Sequence, residues 1–185
     1  VLDLVAPDRH LVGLEHQDVR AHQHRVHEKT GGHVSVRIVA GRFKGKALLS
    51  PTDDSIRPTS DRAREAMFNI LASRIGVHLD GVKVLDLFAG TGALGLEALS
   101  RGAASCVFVD TGAEARGLVR DHIEAFGIAG IAKLLRRDAT ALGPAGTMGP
   151  VDLVFLDPPY GKGLGELALA SLKAGLAEAG YDHRA

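Results

Sequence analysis

The stretch Lys83-Val84-Leu85-Asp86-Leu87-Phe88, followed at once by Ala89-Gly90-Thr91-Gly92-Ala93-Leu94-Gly95, constrains the fold of this chain more than any other segment. A short, nearly continuous apolar run fits a parallel strand covered on both faces. The glycines behind it allow a sharp turn and a close approach of backbone to a ligand, and a helical pattern then runs to Ser100. Comparable runs recur, giving strands near 83–88, 104–109, 131–136 and 151–156 and helices near 92–101, 112–126 and 164–178. Loops rich in Gly and Pro, notably Gly143 to Pro150, separate them, and no internal repeat is evident. The alternation predicts an α/β fold: a doubly wound, mainly parallel sheet with right-handed crossovers.

Four aspartates sit at the ends of these runs: Asp86, Asp110 after Val109, Asp138 beyond Leu135 and Asp157 after Leu156. Ligands of open α/β sheets bind outside the C-terminal strand ends, so the four acids point to one crevice. Gly90, Gly92 and Gly95 satisfy G-x-G-x-x-G, and Asp110 falls near the distance at which an acid meets a ribose hydroxyl. That spacing fits a nicotinamide dinucleotide and S-adenosylmethionine alike. Asp86 favours the second, because an acid just before the glycine loop attracts an ammonium group and repels a pyrophosphate. A βα turn whose glycines serve packing alone is the plainer alternative. Asp138 suits an acceptor for an adenine amino hydrogen, although an Asp after a strand is by itself more often a turn residue or an N-cap.

Asp157-Pro158-Pro159-Tyr160 carries a different chemistry. The exocyclic amine of a purine or cytosine is a poor nucleophile, its lone pair being delocalised into the ring. Acceptors must hold its N–H bonds so that the lone pair faces an electrophile. The Asp157 carboxylate and the Pro158 carbonyl each offer an acceptor, and Tyr160 offers an aromatic face for a base. The prolines stiffen the turn and remove donors. For the tetrapeptide alone, a Pro turn beside a chance Asp is the competing reading.

At 185 residues, with 45% hydrophobic and 24% charged side chains, the chain suits one globular domain. Cys106 is the only cysteine and reads as a small core residue within a strand. No apolar run reaches membrane-spanning length and no secretory signal stands out, so a cytoplasmic protein is expected. The formal net charge is zero but unevenly placed: from Arg37 to Arg74, eight basic residues face four acidic ones. Within this stretch, Arg37 to Leu49 alternates around Gly41 and Gly45 and reads as a short β-hairpin displaying Arg42, Lys44 and Lys46. Those cations suit nucleic-acid phosphates, or equally a solvated edge that deters aggregation. Ser60 and Asp61 then open an amphipathic helix carrying Ala66, Met67, Ile70 and Leu71. Six histidines lie within residues 1–36 without regular ligand spacing. No metal is expected, and 1–36 reads as a disordered extension or a mis-assigned start.

Taken in order, Arg37-Ile38-Val39-Ala40-Gly41 with Lys44-Gly45, Arg57-Pro58-Thr59 with the Arg64-Glu65-Ala66 and Phe68-Asn69-Ile70-Leu71 helix, Asp86-Leu87-Phe88-Ala89-Gly90 with Gly92, and Asp157-Pro158-Pro159-Tyr160 form one series. The series resembles the bacterial 16S ribosomal RNA guanine-N2 methyltransferases, whose usual target is the guanine numbered 966. The resemblance covers roughly Arg37 to the helix after Tyr160. It implies a Rossmann-like class I methyltransferase domain over 37–185, with 37–75 serving RNA binding and closure and 82–185 forming the core. It also implies S-adenosylmethionine as donor and 16S ribosomal RNA, or a small-subunit assembly particle, as partner. The cofactor site would comprise Asp86, Phe88, Gly90, Gly92, Asp110 and Asp138, closed by Arg57 and Thr59, with Asp157, Pro158, Pro159 and Tyr160 holding the base and Arg42, Lys44 and Lys46 the RNA.

Three departures stand out. Asp110 occupies a position where the family commonly has Glu, the segment before Arg37 has no counterpart, and the family continues into further strands after the last helix. The chain is therefore expected to be C-terminally incomplete and to leave 151–156 as an exposed edge. Three alternatives stay open: an adenine-N6 methyltransferase on DNA or RNA, a nicotinamide-dependent oxidoreductase, and a catalytically inactive RNA-binding module.

Overall fold

The computed structural model describes residues 3–6, 9–12, 36–51, 60–74, 78–159 and 161–178. An antiparallel pair, β1 (Asp3–Ala6) and β2 (Arg9–Val12), opens the chain. It lies inside the segment expected to be a disordered extension. Leu4, Val5, Leu11 and Val12 give this piece β-favouring residues on both sides of Pro7-Asp8, a turn-forming dipeptide, and the surrounding histidines mask that local signal.

The central sheet contains β3 (Lys83–Leu87), β4 (Ser105–Val109), β5 (Ala132–Leu135) and β6 (Leu153–Leu156), all parallel, in the order β5-β4-β3-β6. Between and around them run α1 (Asp61–Arg74), α2 (Ala93–Ser100), α3 (Ala113–Phe126) and α4 (Leu164–Glu178). The strands and the last three helices fall within two residues of the ranges read from the sequence. Among the described residues β6 pairs with β3 alone and forms one edge of the sheet.

Strand alternation sorts the core into two layers. Val84, Cys106, Phe108, Leu153 and Phe155 face Phe68 of α1, Leu96 and Leu99 of α2 and Val119 of α3. Leu85, Leu87, Val107, Val109 and Val154 face Ala168, Leu172 and Leu176 of α4. Helices thus cover both faces of a parallel sheet, the Rossmann-like arrangement that the strand runs demanded. Gly95 lets α2 settle onto β4, because a Cβ there would stand 2.4 Å from the Phe108 ring and 2.6 Å from the Cys106 sulfur.

Helix α1 buries a different stripe from the one expected. Ala63, Arg64, Phe68 and Leu71 are buried, whereas Ala66 is exposed and Met67 and Ile70 are half-buried. Two interactions explain this rotation: Phe68 packs edge-on against Phe155 at 5.5 Å, and Arg64 follows it inward to meet a buried acid.

That acid is Glu97 of α2, fully buried. Its Oε2 accepts the Val39 N–H at 2.8 Å and its Oε1 the Ala40 N–H at 3.0 Å. Arg101 donates to Oε1 at 2.8 Å, and the Arg64 Nε lies 3.9 Å from Oε2. Arg64 also binds the Arg37 carbonyl and Asp61. Ser100 adds three ties, its hydroxyl accepting from the Phe43 N–H at 2.9 Å and donating to the Ala40 carbonyl at 2.5 Å, and its carbonyl accepting from the Arg42 N–H at 2.8 Å.

The segment 36–48 therefore sits on α2 as an antiparallel loop. It is less regular than the hairpin expected: Arg37 and Ala47 form a single bridge, and tight turns fill the tip. Gly41 makes the seat possible, since at φ +80° a Cβ there would fall 1.9 Å from the Ser100 carbonyl oxygen.

Removing the Glu97 carboxylate strands two backbone donors and takes from Arg64 and Arg101 the buried acid they share. We expect Glu97→Ala to lower the unfolding free energy by about 3–5 kcal/mol, the range for breaking a buried charge pair. Urea denaturation of the two proteins measures it, and a loss below about 1 kcal/mol would show that the segment does not depend on this acid.

Candidate functional site

The strand register brings the sequence-predicted acids to one end of the sheet. Leu87 lies opposite Val109 on one side and Leu156 on the other, so Asp110 and Asp157 leave β4 and β6 at the same level, flanking the turn after β3. Asp86 lies within β3 on the α2 face, 1% exposed.

The turn after β3 is locally strained. Phe88 adopts φ 58°, a left-handed conformation rare for a bulky side chain, and Gly90 and Gly92 follow at 56° and 78°. The Ala89 N–H is anchored on the Val109 carbonyl at 3.1 Å. Asp110 then grips the loop: its Oδ2 accepts the Gly90 N–H at 2.9 Å and its Oδ1 the Gly112 N–H at 2.7 Å. Helix α2 has no side-chain cap from Gly92, and Asp86 supplies the acceptor from the strand beneath, its Oδ2 taking the Gly95 N–H at 2.9 Å.

Burial pushes the Asp86 pKa up to about 8, with the Gly95 hydrogen bond opposing and the charges of Asp157 and Asp110 adding to the rise. These three acids therefore share one electrostatic environment. A cation entering the crevice would relieve it, whereas a pyrophosphate would aggravate it.

Asp138 takes the N-cap role that the sequence left open. It caps the short 3-10 turn Ala139–Ala141, its Oδ1 accepting from the Thr140 N–H at 2.8 Å and the Thr140 hydroxyl at 2.7 Å. Those two bonds hold its pKa below the usual value although the side chain is exposed. Of the tetrapeptide, Asp157 and Pro158 are half-buried and Pro159 is exposed. Tyr160, Arg57 and Thr59 lie outside the described residues.

The cations of the 36–48 segment stand on an aromatic pair. Phe43 and Phe126 are 5.0 Å apart, Arg42 lies 4.6 Å over Phe43, and the Lys46 ammonium lies 5.1 Å and 4.7 Å from the two rings. Lys44 is exposed on the same loop. Side chains held over rings in this way have surrendered part of their rotamer freedom before a polyanion arrives. Sequence reasoning missed Phe126, Glu97, Arg64 and His122. Glu97 and Arg101 are spaced as an ordinary solvated helix pair, so nothing local marks Glu97 as a buried anchor.

The model of the family described as conserved hypothetical protein 95 matches residues 36–179. A candidate rRNA methyltransferase of Bacillus subtilis is 39% identical over 127 residues, covering 68% of this chain and 67% of its own length. Ribosomal RNA small subunit methyltransferase D of Escherichia coli K12 is 41% identical over 135 residues, covering 72% of this chain and 64% of its own length. The chain thus spans about two thirds of the curated relatives it matches. A solved structure of a candidate methyltransferase from Escherichia coli superposes with a TM-score of 0.62 at 32% identity, over 76% of this chain and 73% of that one.

The Asp86 environment has a measurable signature. Between about pH 4 and pH 8 the folded chain keeps a proton on Asp86 that the unfolded chain has released, so this residue's contribution to stability falls as pH rises through that window. We expect Asp86→Asn to flatten the decline in Tm between pH 5 and pH 8. Binding of S-adenosylmethionine at pH 7 should also release a proton from the wild type, read as a heat that changes with buffer ionisation enthalpy. Identical Tm slopes and buffer-independent heats would show that Asp86 is already ionised.

Proposed function

The chain belongs to the conserved hypothetical protein 95 family, and on that premise we propose that it transfers a methyl group from S-adenosylmethionine to the exocyclic N2 of a guanine in 16S ribosomal RNA. The observation that carries this reading is the level arrival of Asp110 and Asp157 on either side of the strained turn after β3. One flank offers an acid to a nucleoside, the other an acid and a carbonyl to an amine.

The residues fit such a donor. Three acids favour a ligand that brings positive charge, and the Gly90–Gly92 turn leaves backbone rather than side chain at the strand end. When bound, the donor supplies a methyl carbon made electrophilic by its sulfonium. Asp110 orients the ribose, and Asp86 favours the amino-acid ammonium through its charge. Asp157 and the Pro158 carbonyl hold the two N–H bonds of the guanine amine, which directs its lone pair, and Asp157 or water receives the proton that the nitrogen sheds on methylation. Catalysis by these residues is mainly positioning and charge stabilisation.

In this reading residues 37–75 present RNA and 82–185 perform the chemistry, with Arg57 and Thr59 closing the donor site and Tyr160 stacking on the base. Arg42, Lys44 and Lys46 bind backbone phosphates. An adenine amine would fit the same acceptors; the basic segment and relatives named for ribosomal RNA favour an rRNA substrate, and the motif series resembling the guanine-N2 methyltransferases favours guanine within it. A nicotinamide dinucleotide is disfavoured by the three clustered acids. Mass mapping of 16S ribosomal RNA with and without the active gene tests the proposal directly, and RNA identical in both strains would overturn it.

Asp157→Ala should lower the single-turnover methylation rate at least ~100-fold. Calorimetry should find S-adenosylhomocysteine affinity nearly unchanged; near-wild-type turnover would remove Asp157 from the reaction.

Replacing Arg42, Lys44 and Lys46 together by Ala should weaken RNA binding and flatten the plot of log affinity against log salt, by about 0.7–0.9 for each phosphate no longer neutralised. An unaltered slope would instead support a solvated edge.

A further inference from the structure

His122 lies on α3, 2% exposed, with both ring nitrogens engaged. Its Nδ1 is 3.0 Å from the Thr91 carbonyl oxygen, in the glycine turn between Gly90 and Gly92. Its Nε2 accepts the Leu49 N–H at 2.7 Å, at the exit of the basic loop. The partners fix the tautomer: a carbonyl can only accept and an amide N–H can only donate, so the proton sits on Nδ1 and Nε2 is bare. Burial keeps the ring neutral by lowering its pKa, against the Thr91 hydrogen bond and Asp121.

We propose that His122 is a positioning residue that ties the donor-binding glycine turn to the exit of the basic loop, so that donor binding and RNA engagement are coupled through one imidazole. The inference rests on the methyltransferase reading and extends it to a residue that touches neither substrate. The two bonds reach from one ring to parts of the chain about forty residues apart in sequence, Leu49 and Thr91. The base of the basic loop is held separately, by Glu97, Ser100 and the packing of Phe43 on Phe126. Loss of the Leu49 bond therefore loosens the loop that carries Arg42, Lys44 and Lys46 at its exit, while Glu97 and Ser100 keep its base seated on α2.

The two nitrogens can be tested apart, because an Asn side chain places its amide near the Nδ1 position and a Gln side chain near the Nε2 position. In His122→Asn the tie to Thr91 survives and the tie to Leu49 is lost. S-adenosylhomocysteine affinity should stay within twofold, while KM for 16S ribosomal RNA rises roughly fivefold, the scale of one buried hydrogen bond. In His122→Gln the pattern should reverse: RNA KM near wild type and S-adenosylhomocysteine about fivefold weaker. Both variants are checked for a cooperative melt.

A measurement on the wild type needs no substitution. Saturating S-adenosylhomocysteine should slow hydrogen exchange of the Leu49 amide. Two variants that shift both affinities together, or neither, would overturn the clasp, and so would a Leu49 amide indifferent to the ligand. If the wild type neither binds S-adenosylhomocysteine nor methylates RNA, the proposed function itself fails. If it does both and the variants do not separate, only the clasp fails.

Discussion

Everything that surrounds the site hangs on the buried carboxylate of Glu97. A carboxylate taken fully out of water is costly unless hydrogen bonds and opposite charge replace its hydration. Glu97 obtains both, from the Val39 and Ala40 amides and from Arg101 and Arg64. Those partners come from three places in the chain: the basic loop, α1 and α2 itself. The acid thus joins the loop that carries Arg42, Lys44 and Lys46 to the helix whose N-terminus carries the glycine turn. Gly41 permits the approach, because any side chain at that position would overlap the end of α2. One buried ion cluster sets the distance between the cationic surface and the strand ends.

The other end of α2 follows a different logic. No side chain of the turn caps this helix, and the missing acceptor comes from Asp86 in the strand below. Burying that acid beside Asp110 and Asp157 makes its ionisation unfavourable, and Phe88 is held in a left-handed conformation two residues later. Glu97 is surrounded by donors and cations, whereas Asp86 has one donor and two like charges nearby. The first arrangement stabilises the fold. The second leaves an electrostatic strain that a cationic ligand can relieve, the kind of local conflict expected at a functional site.

The sheet was legible in the sequence because its signals are local. Val84, Leu85 and Leu87, Cys106 to Val109, and Leu153 to Leu156 form compact apolar runs with glycine or proline nearby, and a run followed by an acid marks a strand end. Helix α1 was legible as a helix but not in its orientation, because Arg64 looks like a surface residue until Glu97 is seen to receive it. The basic loop was recognised from its charge and glycines. Its seat was hidden, since Glu97 meets it across nearly sixty residues of sequence. His122 was hidden for the same reason: one histidine on an amphipathic helix carries no sign that its two partners converge from the glycine turn and the loop exit. Asp138 shows the opposite limit, where the modest local reading as an N-cap describes the geometry and any ligand role must be added to it.

Asp110 shows how a small side-chain difference reshapes such a site. A carboxylate has room for about four hydrogen bonds, two at each oxygen. At Asp110 one acceptor position on each oxygen already holds a backbone amide, Gly90 on one side and Gly112 on the other. The short arm makes this possible, because it keeps the carboxylate against the main chain at the end of β4, where a Glu would carry it a methylene further into the crevice. In this chain the acid therefore shapes the turn before any ribose arrives. On the proposed methyltransferase reading, a ribose hydroxyl would share oxygens that are already partly engaged, which weakens the bond to the nucleoside and leaves the turn stiffer without it. The preorganised turn and the strained Phe88 serve the same end, since a loop that is already in place loses less entropy when its ligand binds.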